Sequence, residues 1–172
     1  MFSNPIRIYG KYSKIAKKYS KDNSNEKSEP FVLIDMEGKK STERKTYIFE
    51  TLLDCFMTAM MLGIIEDKKA PEDPDKTIYA TVFADILLKK RATLERIYQH
   101  MVLTRYNNLE IDERVKKAFG IIKEEDKSDE LENLKSYLRG GLLIIDNYFN
   151  DCKTVEDFCN RIIDFKDKYK FD

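Results

Sequence analysis

The chain has 172 residues, 42% hydrophobic and 36% charged, enough for one core and too little for a second of any size. Its 31 basic and 31 acidic side chains cancel, so no whole-molecule field selects nucleic acid or a membrane surface. There is one histidine and no tryptophan, and no Gly-rich phosphate loop or cofactor motif is present.

Residues 1–30 read as a basic, partly flexible arm. Arg7, Lys11, Lys14, Lys17, Lys18 and Lys21 precede the first acid, Asp22, and such an arm on a neutral body could touch phosphate. Ile6, Ile8, Tyr9, Tyr12, Ile15, Ala16 and Tyr19 could line one side of a short helix docked on the body. Asp22 to Pro30 is a polar linker. Phe31 to Ile34 is too short to assign, and Glu37 to Lys45 reads as a charged loop. Residues 31–172 are expected to form the helical domain.

A core helix is expected from about Thr46, with the apolar block Tyr47 to Ile65 as its body. The acids Glu50 and Asp54 within that block argue for a buried helix of a soluble protein over a membrane span. No amino-terminal stretch has the apolar core of a signal peptide. Gly63 suits a left-handed cap, and Pro71 and Pro74 mark a loop from Glu66 to Lys76. A second helical stretch is expected from about Asp75 to Lys90, with Ile78, Val82, Phe83, Ile86 and Leu87 on one face. Leu94, Ile97, Tyr98, Met101 and Val102 repeat the same three-and-four spacing. After the break at Asn107-Asn108, Asp112 is placed to cap a helix that buries Val115, Ala118, Phe119 and Ile122. Lys123 to Asp129 is a charged connection. The stripe Leu131, Leu134, Tyr137, Leu138, Leu142, Ile145 and Phe149 predicts a long helix. Thr154 to Asp157 resembles a capping box for a last helix that turns Val155, Phe158, Cys159, Ile162, Ile163 and Phe165 inward. The sum is an all-α, single-domain bundle of about six or seven helices.

Few residues invite chemistry. His100 has no carboxylate or thiolate at ligand spacing beside it. Glu50 and Asp54, four apart, would share a helix face and could hold a divalent cation, but the third acid and the lysine of a nuclease site are missing. Cys55, Cys152 and Cys159 have neither zinc-site nor disulfide spacing and read as free thiols of a reducing cytosol. No metal site, cofactor or catalytic residue is expected.

Two features point outward. Lys89, Lys90 and Arg91, with Arg96 and Arg105, form a second basic cluster. If it shares a face with Lys14, Lys17 and Lys18, the pair makes a DNA-backbone footprint, read by charge and sensitive to salt. The step Tyr137-Leu138-Arg139-Gly140-Gly141-Leu142 sets two glycines inside a helical stripe at about 1 kcal/mol each relative to alanine. A helix end and restart, a phosphate-binding turn with Arg139, or close approach of a backbone from this chain or a partner would explain it. Arg139, Gly140 and Gly141 are taken as a partner contact.

The order of a core helix ending in Met61-Leu62-Gly63, a stretch with Val82-Phe83, and Tyr137-Leu138-Arg139-Gly140-Gly141-Leu142 before an apolar run resembles the small helical accessory proteins encoded with bacterial DNA phosphorothioation (Dnd) systems, over roughly residues 45–150. The resemblance implies a cytoplasmic protein of DNA modification or phage defence, acting beside larger catalytic subunits, and carries over no catalytic residue. The expectation is a non-enzymatic accessory subunit that docks other protein subunits, with a basic surface for DNA backbone and self-association open. The alternative is a pure protein-interaction module, an inhibitor or oligomeric scaffold, without DNA binding.

Overall fold

The computed structural model describes residues 2–21, 47–120 and 126–169. Over these the chain forms strand β1 (Ile6–Tyr9), helices α1 (Gly10–Tyr19) and α2 (Leu52–Ile65), strand β2 (Tyr79–Val82), and helices α3 (Ala84–Lys89), α4 (Arg91–Arg105), α5 (Ile111–Phe119), α6 (Lys127–Phe149) and α7 (Val155–Tyr169). The all-α reading holds apart from one small antiparallel sheet. The linker from Asp22, the segment Phe31 to Ile34 and the loop Glu37 to Lys45 lie outside the described residues.

That sheet corrects two helical expectations. In β1 and β2, Ile6 faces Val82 and Ile8 faces Ala80 across the ladder. All four side chains are buried, while Arg7 on the other face donates to the Thr81 hydroxyl at 3.0 Å. Period-two alternation puts the four apolar residues on one face. A stretch as short as Ile6–Tyr9 or Tyr79–Val82 fits either period, and pairing with a distant strand decides it.

Gly10 turns the chain from β1 into α1 with a positive φ of 55°, a conformation glycine adopts without steric penalty. A side chain there would also strike the Asp73 carboxyl group. Asp73 accepts from the Lys11 and Asp75 backbone N–H groups at 3.0 and 2.9 Å, and these bonds hold its carboxyl below the usual range. Residues 2–21 therefore belong to the body. Tyr12, Ile15, Ala16 and Tyr19 are buried with the central core, as expected of a docked helix whose apolar residues recur at helical spacing, and Phe2 is buried with them.

The centre of the fold is the packing of α2 against α6. Thr51 caps α2, accepting from the Asp54 N–H at 3.1 Å. The helix thus begins about five residues later than expected, and Glu50 precedes it. Gly63 lies inside α2, not at a left-handed cap. A Cβ on Gly63 would collide with the Tyr137 carbonyl group, and one on Gly141 with the Ala59 carbonyl group. These pairings run in opposite directions, so the two helices are antiparallel and meet backbone to backbone. Ala59 and Gly63 stand four apart, the small-residue spacing that permits such approach. Around the contact, Phe56, Met60, Leu62, Leu138, Leu142 and Ile145 are fully buried, each stabilising by about 1.5–3 kcal/mol.

Helix α4 buries Leu94, Ile97, Tyr98, Met101 and Val102 as its spacing predicts. The Arg105 guanidinium reaches the Ile64 and Ile65 carbonyls, both at 2.7 Å, and so satisfies the end of α2. Thr154 and Asp157 form the expected reciprocal cap of α7. Of its predicted inward face only Phe158 and Phe165 are buried. They pack in an aromatic cluster with Phe149, at ring separations of 5.8 and 5.4 Å. Val155, Cys159, Ile162 and Ile163 are exposed. Helix α5 departs further: its cap is Glu110 with Glu113, not Asp112, and of Val115, Ala118 and Phe119 only Ala118 is buried. Ile122 lies outside the described residues.

Candidate partner-docking site

The Arg139-Gly140-Gly141 step lies inside the molecule. Helix α6 runs through it without a break, which removes both the helix restart and a phosphate-binding turn. A Cβ on Gly140 would collide with the Lys68 carbonyl group. The loop after α2 is laid over the glycine step, with the Ala70 N–H donating to the Ser136 carbonyl at 3.0 Å. Arg139, 4% exposed, donates to the Ala70 carbonyl at 2.8 Å and pairs with Glu132 at 2.9 Å. The close approach is thus made by this chain's own backbone, and these three residues offer no surface to a partner.

The basic residues divide. Lys18 is half-buried and bound to Asp146 at 3.2 Å and to Asn150 at 2.8 Å, so α1 spends this charge on fixing α6. Lys17 is half-buried, and Lys14 is exposed near Asp75, whose carboxyl the Thr77 hydroxyl and backbone N–H hold below its usual range, with a smaller contribution from Lys14. Lys89, Lys90 and Arg91 are exposed, and Arg91 is paired with Glu95 at 2.7 Å. Carboxylates thus accompany much of the expected footprint.

The pair Glu50 and Asp54 does not share a helix face, since Glu50 stands outside α2, exposed, 3.9 Å from Lys21. Asp54 is engaged with the Thr51 hydroxyl at 2.6 Å. Among the described residues no three His, Cys, Asp or Glu side chains gather where they could hold a metal ion. No helix among them is long and apolar enough to cross a membrane.

One polar cluster gathers around a buried acid, Glu130. Glu130 accepts from Tyr106 at 2.5 Å and pairs with Lys117 at 2.6 Å, while Asn133 donates to the Tyr106 hydroxyl at 3.0 Å. Burial, then the bond to Glu130, pushes the Tyr106 hydroxyl up from its ordinary value. With its partners in place the buried carboxylate is satisfied, and its role is to tie α4, α5 and α6 together.

A groove of about 450 Å³ lies between α2 and α4. Met57, Thr58 and Met61 form one wall, and Thr93, Arg96, Ile97 and His100 the other. Each wall follows from helical spacing, with Met57 and Met61 four apart and Thr93, Arg96 or Ile97, and His100 three to four apart. Met57 and Met61 are half-buried, packed on the core, and Ile97 closes the floor. Unbranched, polarizable methionine side chains adapt to varied apolar shapes. Arg96 is exposed and His100 half-buried on the rim. Among the described residues no carboxylate closes on Arg96. The site offers an apolar trough with a basic edge and no nucleophile or paired acid and base. The sequence carried its signal in the Met57 and Met61 spacing beside a helix apolar all round, but which helix would stand opposite was not readable.

No family model, curated protein or solved structure matches the chain.

Proposed function

We propose that this chain is a non-catalytic docking subunit that holds a protein partner through the α2–α4 groove. The partner element is an amphipathic helix that lays apolar side chains on Met57, Met61 and Ile97 and sets a carboxylate against Arg96. The observation that carries this reading is the adaptable methionine wall beside an arginine with no carboxylate partner among the described residues. An accessory role beside larger subunits of a DNA-modification or phage-defence assembly, as the resemblance implies, is the setting we propose for it.

The test is a titration with a helical peptide that carries a leucine pair four apart and flanking glutamates, followed through the methionine methyl resonances. The Met57 and Met61 methyls should shift, and Met61→Lys should weaken binding about tenfold or more, as loss of a central anchor does, with the helical circular dichroism unchanged. A lysine-flanked peptide should bind less well. Unmoved Met57 and Met61 methyls at saturating peptide would sink the proposal. Salt-sensitive binding of a DNA duplex, abolished by Lys89→Glu with Lys90→Glu, would instead favour the DNA-contact reading.

A further inference from the structure

A recess of about 300 Å³ lies where the end of α2 meets α6 and α7, with Glu66, Ile144, Tyr148, Lys168 and Tyr169 in its lining. The Lys168 ammonium is held there. It stands 4.9 Å from the centroid of the Tyr169 ring, 5.5 Å from that of Tyr148 and 3.1 Å from the Glu66 carboxylate. The two rings are 6.3 Å apart and inclined at 64°, so they form a corner beside the carboxylate. Two π faces and an acid around one cation are the parts of a site for alkylated ammonium groups. The walls stand without the lysine. Tyr148 and Tyr169 both pack edge-on with Phe165, at 5.1 and 4.9 Å, and Phe165 is buried. The Tyr169 hydroxyl donates to Glu66 at 2.9 Å. The Lys168 side chain is about half exposed, and its flexible stem can turn into solvent while the rings and the carboxylate stay in place.

We propose that Glu66, Tyr148 and Tyr169 form a cage for the methylated ammonium group of a ligand, with Lys168 as its built-in competitor. An unmodified lysine ammonium is compact and strongly hydrated. A methylated one spreads its charge over carbon, gives up less hydration on entry and lays more apolar surface on the rings, so it gains more from the same walls. The recess already admits a lysyl side chain, and a trimethyllysine on a partner's tail has the matching shape. Choline carries the same head group as a free molecule. The shared chemistry is the trimethylammonium head, and Lys168 must leave before it enters.

The test follows the Tyr148 and Tyr169 ring resonances of the whole chain during a titration with tetramethylammonium chloride, against sodium chloride at equal concentration. A range up to about 100 mM brackets a millimolar dissociation constant. Lys168→Ala should bind at least about tenfold more tightly than the parent, because the competitor is gone. Adding Glu66→Gln to Lys168→Ala should reverse most of that gain, and adding Tyr148→Leu should abolish binding. Circular dichroism checks that each variant is folded. Choline and a trimethyllysine peptide, with its unmethylated form as reference, then separate the two sources. Tighter binding of the methylated peptide assigns the cage to a protein tail, and tighter binding of choline assigns it to a small molecule. Ring shifts in Lys168→Ala no larger than those in sodium chloride would overturn the proposal. So would equal affinity in Lys168→Ala and the parent, or binding that survives the loss of Tyr148.

Discussion

Replacing Gly141 by alanine separates two accounts of the glycine step by the sign of the effect. If Gly141 were only a poor helix former in mid-helix, alanine would stabilise the protein by about 1 kcal/mol. In the structure the new methyl would fall on the Ala59 carbonyl group. That atom belongs to the backbone of α2 and cannot swing aside as a side chain would. Relief requires α2 and α6 to part, and Phe56, Met60, Leu138 and Leu142, all fully buried, would lose contact with one another. Overpacking of a close-packed interior costs about 1–3 kcal/mol and sometimes more. An immovable opposing atom puts Gly141→Ala at the top of that range, and the gain in helix propensity offsets only part. The net expectation is destabilisation of about 2–3 kcal/mol, a fall in melting temperature of roughly 4–12 °C for a chain of this length. Calorimetry of the two proteins measures it. Gly63→Ala, which meets the Tyr137 carbonyl from the other helix, should act alike, and the double variant should cost less than the sum because one separation relieves both. A Gly141→Ala protein as stable as the parent, or more so, would refute the backbone-to-backbone packing of α2 on α6.

Two further outcomes follow from side chains at the periphery of that core. Glu66 accepts from the Tyr169 hydroxyl at 2.9 Å and pairs with Lys168 at 3.1 Å, and these partners hold its carboxyl below the ordinary value of 4.5. The stability this contributes is fully present above 4.5 and is lost as the pH falls through the lowered value. The Tyr169 ring resonances should therefore shift with acid in the parent protein and not in Glu66→Gln; the same shift in both would refute the contact. Cys159 is exposed while Cys55 and Cys152 are buried, and burial pushes the Cys55 thiol up, so a thiol-specific reagent should label Cys159 in the native protein and the other two only as it unfolds. Rapid native labelling of Cys55 would contradict its place in α2.

Much of the helical plan was legible. Residues Leu131 to Phe149 and Leu94 to Val102 carry three-and-four spacing long enough to admit one period, and both stripes are buried. The capping pair of Thr154 and Asp157 is a local device, and it formed as read. The short segments Ile6–Tyr9 and Tyr79–Val82 were misread because four residues cannot distinguish the two periods, and their partners lie far away in sequence. Of the site residues, Arg139, Gly140 and Gly141 were taken for a partner contact, and the backbone that approaches the two glycines is the chain's own. Lys18 was taken for a phosphate contact and serves Asp146, a partner far away in sequence. The groove residues Met57, Met61, Arg96 and His100 were not joined, because two helices must be set side by side before a trough exists between them.

Helical period and capping depend on neighbours within a turn or two, so the mostly helical character of the chain and the place of its long apolar stripes are written locally in the sequence. Tertiary structure alone decided which stripes are covered. Ile111, Val115 and Phe119 have the same spacing as the buried residues of α6, yet remain in solvent, because burial depends on what another element places opposite. It likewise decided that the glycines of α2 and α6 serve packing, for their value lies in an atom contributed by another part of the chain.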